Sequence, residues 1–173
     1  MTKYVTFLRG VNVGGRIVKM ADVKTCFERA GFKNVSTLLQ SGNVIFESDR
    51  TDIPKLKQQI EEVLTKTFNY PAKVQVISIE QLKQIVAANP FADAPAHHHQ
   101  YVIFIENDLE TALVAEAGKQ LGEKVEAGLG VVYWQVQKGQ TLKSPFAKLL
   151  TKTKYKEFNT NRNISTLQKI LAK

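Results

Sequence analysis

Cysteine is almost missing from this chain: Cys26 is the only one in 173 residues. No disulfide can therefore form within it, and a reducing, cytoplasmic setting is the expectation. Cys26 falls in the stretch Met20–Ala30, with no histidine near it in sequence, which reads as a buried structural thiol rather than a nucleophile. Long apolar runs are missing too. The run Tyr4–Leu8 stops at Arg9-Gly10, and no stretch approaches the roughly 18 apolar residues that a membrane helix needs, so neither a signal peptide nor a membrane partner is expected. With 10 glycines, 5 prolines, 43% apolar and 23% charged residues, disordered and collagen-like chains are excluded. A chain of this mass buries about 70% of its unfolded surface, enough for a sizeable core in one domain or two small ones.

Catalytic signatures are equally scarce. Gly-x-Ser-x-Gly and His-Glu-x-x-His do not occur. The spacing Gly10-x-x-x-Gly14-Gly15 is neither a Walker loop nor the dinucleotide fingerprint. Glu61-Glu62, Asp49 and Asp52 occupy ordinary surface positions, and Ser41 has no identifiable base, so catalytic residues stay unassigned and the sequence leaves open whether the chain is an enzyme. His97-His98-His99 invites a metal reading. In an extended loop His97 and His99 would share a side with His98 opposed, and only Asp93 lies near, so no metal and no cofactor are expected. The aromatics Tyr101, Phe104, Tyr133 and Trp134 lack the RNA-recognition pattern and read as core.

What is present is a lopsided charge. Lys138, Lys143, Lys148, Lys152, Lys154, Lys156, Arg162, Lys169 and Lys173 face only Glu157, so residues 138–173 carry the chain's whole net charge of +8. Such a segment attracts nucleic acid or another anion, or simply forms a solvated lysine face.

Hydrophobic periodicity supplies the architecture. Tyr4–Leu8 reads as a strand, followed by the glycine-rich loop Arg9–Arg16 and a helix with Met20, Val23, Phe27 and Ala30, closed by Gly31. Strands Val35–Leu39 and Val44–Phe46 flank the turn Gln40-Ser41-Gly42-Asn43. A helix opening near Thr51-Asp52 and a strand around Val74–Ile77 complete a βαββαβ order. The second half opens with the capping box Ser78–Gln81 and the break Asn89-Pro90. Strand Tyr101–Ile105 follows, then an Asn107-capped helix through Leu113 and Ala117 to Leu121. A hairpin Val125–Leu129/Val131–Val136 comes next, then a helix from Ser144-Pro145 and a last helix after Asn163. The fold class is α+β: two ferredoxin-like (βαββαβ) subdomains, residues 1–78 and 79–173, packed into one compact unit, the second with a basic C-terminal helical extension.

In that topology the loop after the first strand and the turn between the second and third lie on one edge of the sheet. Glycine admits a ligand close to the backbone, exposed N–H groups favour anions, and Arg forks match phosphate or carboxylate. The candidate ligand-binding residues are Arg9, Gly10, Asn12, Gly14, Gly15, Arg16, Gln40, Ser41, Gly42 and Asn43, with Arg162 and Asn163 ahead of the last helix as contributors. A tight loop with a glycine turn, and a plain Asn cap, would use the same residues for structure alone.

Leu8-Arg9-Gly10-Val11-Asn12-Val13-Gly14-Gly15, Met20, Gly31-Phe32, Thr37 and Gln40–Phe46 resemble the signature of a bacterial family of unknown function, DUF1697, and Asn161-Arg162-Asn163 with Thr166 and Leu167 resembles its C-terminal motif. The resemblance implies two ferredoxin-like subdomains and a bacterial cytoplasmic protein, and it supplies no activity. Arg16 stands where the family usually has lysine, and Ile164 where it usually has tryptophan, so no stacking role carries over to position 164. The leading expectation is a protein that binds a phosphate- or carboxylate-bearing ligand, nucleotide or nucleic acid favoured. The alternatives are an enzyme on a small anionic metabolite at the same edge, and an interaction module using the basic C-terminal segment.

Overall fold

The structure is a computed structural model that describes residues 1–12, 14–118 and 122–173. Val13 of the glycine-rich loop, and Leu121 at the end of a predicted helix, lie outside the described residues. The chain divides into two compact units, Met1–Leu82 and Lys83–Lys173. No helix among the described residues is long and apolar enough to cross a membrane.

The first unit runs β1 (Thr2–Leu8), α1 (Met20–Arg29), β2 (Lys33–Leu38), β3 (Asn43–Ser48), α2 (Ile53–Phe68) and β4 (Val74–Ser78). Its antiparallel sheet has the order β2-β3-β1-β4. Alternation along the strands sends Tyr4, Leu8, Val44, Phe46, Val74 and Val76 to one face. There they meet the apolar stripes of the helices, Val23, Cys26 and Phe27 of α1 and Leu56, Ile60 and Leu64 of α2. Phe46 anchors this core, with ring centroids 4.7 Å from Phe32, 5.5 Å from Phe27 and 5.6 Å from Tyr4. Asp52 caps α2 by accepting from the Lys55 N–H, and α2 ends on Asn69 in the left-handed region. The capping box at the start of α3 (Ile79–Ala87) is formed: Gln81 N–H donates to Ser78 Oγ at 3.1 Å and Ser78 N–H to Gln81 Oε1 at 3.3 Å.

The second unit repeats the order with β5 (His98–Ile105), α4 (Glu110–Ala117), β6 (Glu123–Ala127), β7 (Val131–Gln137), α5 (Pro145–Leu150), α6 (Thr153–Lys156), β8 (Asn159–Asn163) and α7 (Ile164–Leu171). Its sheet order, β6-β7-β5-β8, is the same pattern. Trp134 sits at its centre against Tyr101 (5.0 Å) and Phe146 (5.1 Å), and Phe104 and Tyr133 are buried, so these aromatics are core. Cys26 is buried as well, its thiol 3.4 Å from Thr67 Oγ1, in the floor of a groove of about 450 Å³ between α1 and α2.

Three features differ from the sequence reading. The Asn161–Asn163 segment, placed from sequence only ahead of the last helix and assigned to no element, belongs to β8, an edge strand on β5 with Val102 opposite Arg162. Its residues show no apolar alternation, because main-chain pairing to β5 forms it and the Asn159 side chain ties it to the carbonyls of Leu150 and Tyr155. Asn107 does not cap α4: it sits at φ 60° in the turn before the helix, and Leu109 is the N-cap residue. Leu39 does not extend β2. It opens the turn at φ 60°, and Asn43 is the first residue of β3.

Candidate functional site

The register of β1 on β3 ends at Phe7 opposite Asn43, so the chain leaving β1 passes directly beside the β2–β3 turn. Leu8 N–H donates to the Gly42 carbonyl at 2.8 Å, and Arg9 N–H to the Lys73 carbonyl at 3.1 Å. A Cβ on Gly42 would lie 2.9 Å from Leu8 Cβ and 3.2 Å from Val11 Cγ2, and Gly42 has φ +89°. Here glycine is demanded twice, by conformation and by packing.

A closed set of hydrogen bonds then fixes the loop to the turn. The Asn12 amide donates to the Gln40 carbonyl at 2.8 Å, and its oxygen accepts from Val18 N–H at 3.3 Å. The Gln40 amide donates to the Val18 carbonyl at 2.9 Å. Asn43, wholly buried, closes the turn on itself by donating to the Leu38 carbonyl and to Ser41 Oγ. Ten of the residues selected from sequence thus come together at one edge: Arg9, Gly10, Asn12, Gly14, Gly15 and Arg16 with Gln40, Ser41, Gly42 and Asn43. The amides of Asn12, Gln40 and Asn43 hold the framework, however, rather than projecting outward to orient a ligand.

Gly10, Gly14 and Gly15 differ from Gly42. Each has φ between +64° and +79°, and a Cβ on any of them would meet nothing within 4 Å. All three are exposed, and none of their N–H groups donates to a backbone carbonyl among the described residues. Beside them, Arg16 is held at two points: Nη1 donates to the Gly10 carbonyl at 3.4 Å, and the guanidinium lies 4.6 Å above the Tyr70 ring. Arg9 is half-buried at the start of the loop.

Tyr70 was not legible as part of this site. It follows the left-handed Asn69 that ends α2, and no periodicity marks it. Its hydroxyl is buried with no hydrogen-bond partner among the described residues. Burial raises its pKa above the ordinary 10, with Arg16 opposing and Cys26 adding to the rise.

A family model described as protein of unknown function, DUF1697, matches residues 1–133, which contain this whole edge. The chain belongs to the DUF1697 family. The Asn161–Asn163 motif lies beyond the matched residues. Among solved structures, this DUF1697 chain is similar to the conserved bacterial protein SP0830 from Streptococcus pneumoniae, with a TM-score of 0.81 and 22% identity over 99% of this chain and 97% of that one. The likeness shows the fold. The acetolactate synthase small subunit from Thermotoga maritima aligns with a TM-score of 0.27 and 13% identity over 94% and 97% of the two chains. BT0572 from Bacteroides thetaiotaomicron aligns at 0.23 and 10% over 97% and 96%. Neither score carries an argument. No curated protein matches significantly.

The second unit of the DUF1697 chain closes the corresponding edge with the same two hydrogen bonds, Ile105 N–H to the Gly130 carbonyl (3.2 Å) and Glu106 N–H to the Phe158 carbonyl (2.9 Å). Its loop, residues 106–109, contains no glycine and no cation, and Glu110 accepts from Gly130 N–H. The fold itself therefore does not require the Gly-Arg chemistry seen in the first unit.

Arg162 and Asn163 lie in the second unit. Successive residues of a strand point to opposite faces, so the two side chains diverge. Arg162 is half-buried, donates to the Asn161 carbonyl at 2.8 Å, and burial lowers its pKa to about 10. Asn163 caps α7, accepting from Ser165 N–H at 2.9 Å. His98 and His99 begin β5 on opposite faces, and no group of three or more metal-binding side chains assembles among the described residues.

Proposed function

We propose that this protein binds a small phosphate- or carboxylate-bearing ligand on the loop of residues 9–16 where it adjoins the β2–β3 turn. One observation carries the reading. The same edge is built in both units by the same main-chain bonds, yet only the first unit spends three positive-φ, open-sided glycines and two arginines there. Exposed N–H groups on left-handed glycines form a concave donor set for an anion. Arg16, held against Tyr70, supplies the charge with part of its conformational freedom already removed. α1 adds the positive end of its dipole behind the loop and opens on Lys19 without a side-chain cap. Asn12, Gln40 and Asn43 act as positioning residues, keeping the loop on the turn.

Isothermal titration of the full chain with inorganic phosphate tests this. Binding is expected, and Arg16→Ala should weaken it about tenfold or more, the scale of a lost charge-assisted hydrogen bond. Circular dichroism melting confirms that the variant stays folded. No heat of binding at tens of millimolar phosphate, or an Arg16→Ala chain with unchanged affinity, would end the reading.

A second reading, nucleic-acid binding, is supported by a different observation. Lys143, Lys148, Lys152, Lys154 and Lys156 are all exposed around α5 and α6, where Phe146, Leu149, Leu150 and Tyr155 turn inward. A face of this kind suits phosphate backbones without reading bases.

A further inference from the structure

We infer that the anion taken at this edge is amphiphilic: a phosphate or carboxylate carried on an apolar body that rests against Leu39 and Ile17. The inference depends on the anion-binding reading above and specifies its ligand.

Leu39 occupies a conformation that disfavours it. Five non-glycine residues have positive φ among the described residues, and four of them, Asn34, Asn69, Asn107 and Asp108, are the types whose short polar side chains tolerate it. Leu39, at φ 60°, is the exception. The turn would form with less strain on asparagine or glycine, so turn geometry does not account for a leucine. Core packing does not account for it either, because 47% of the residue is exposed.

Ile17 is in a similar position, with 79% of its surface exposed. Leu39 precedes Gln40 and Ile17 precedes Val18, so the two exposed apolar residues stand one position from the two ends of the Gln40–Val18 hydrogen bond of 2.9 Å. Isolated exposed apolar residues need no explanation, but a strained one whose neighbour is bonded to the neighbour of a second does. Arg16 immediately precedes Ile17, so positive charge and apolar surface alternate along the same few residues. Two side chains are too little for a protein interface and suit a short alkyl or aryl group.

The test compares n-butyl phosphate with inorganic phosphate by isothermal titration on the full chain. Butyl phosphate should bind about tenfold tighter, as expected if roughly half its chain leaves water. In Leu39→Asn, whose new side chain suits the left-handed turn, the two probes should bind within about twofold of each other. Ile17→Ser provides a second variant outside the turn and should narrow the gap in the same direction. Phosphate binding with no preference for the butyl ester would overturn this inference and leave the anion site standing. So would a preference undiminished in both variants. If neither probe binds, the anion site itself fails and the inference fails with it.

Discussion

Gly42→Ala offers the sharpest check on how the loop and turn are joined. Alanine at φ +89° costs about 1–2 kcal/mol in backbone conformation. The new methyl would also stand 2.9 Å from Leu8 Cβ, a distance that such atoms do not adopt, and 3.2 Å from Val11 Cγ2. Both neighbours are buried, and Leu8 Cβ is fixed by the backbone of β1, so it cannot swing away. Overpacking of this kind adds about 1–3 kcal/mol, for a total of roughly 2–5 kcal/mol. Gly14→Ala is the matched control: φ is +64° and nothing lies within 4 Å, so only the conformational cost of about 1–2 kcal/mol applies. Urea denaturation followed by far-ultraviolet circular dichroism reads both. With a slope of about 1 kcal/mol per molar for a small unit, Gly42→Ala should lower the midpoint by roughly 2–5 M and Gly14→Ala by only about 1–2 M. Equal shifts in the two variants would refute the claim that Gly42 is required by packing as well as by its turn.

Other outcomes follow from the second unit. The Tyr155 hydroxyl donates to Glu116 Oε2 at 2.6 Å, and burial, reinforced by that bond, raises its pKa to about 12. The fold therefore favours the protonated phenol, and this stabilisation is complete below pH 10 and lost as pH rises from 10 through 12. Absorbance titration at 295 nm should show a tyrosine step near pH 12, and Tyr155→Phe should remove that step while Tyr70 and Tyr133 still ionise above 10. A Tyr155→Phe curve still showing it would assign it elsewhere. Glu116 is held below its ordinary range, chiefly by the Tyr155 hydrogen bond and further by Lys152, so its contribution is present above about pH 4.5 and fades on acidification below it. For the lysine face, duplex DNA affinity should fall with salt at a log–log slope of about −0.9 per phosphate neutralised. Each of Lys143→Glu, Lys148→Glu and Lys154→Glu should reduce that slope by about one, and a salt-independent response would eliminate nucleic-acid binding.

The residue pattern alone determined most of the scaffold. Phe27 and Leu56 fell on helical stripes, Tyr4 and Phe46 on alternating strands, and Ser78, Asp52 and Ser144 on caps that the side chains do form. Those signals are local, since a helix face or a cap is written within a few residues. It also determined that loop 9–16 and turn 40–43 share an edge, because antiparallel topology leaves no other place for them. β8 was invisible, since a strand formed by pairing with β5 needs no apolar alternation of its own. Tertiary structure alone decided the roles within the site. It engaged the side-chain amides of Asn12, Gln40 and Asn43 as ties between loop and turn and placed Tyr70 against Arg16 from the far end of α2. It also left Leu39 strained and exposed. The Asn12–Gln40, Gln40–Val18 and Arg16–Tyr70 ties join residues 22 to 54 positions apart, and the free energy of such contacts is set by packing, which no short stretch of sequence encodes.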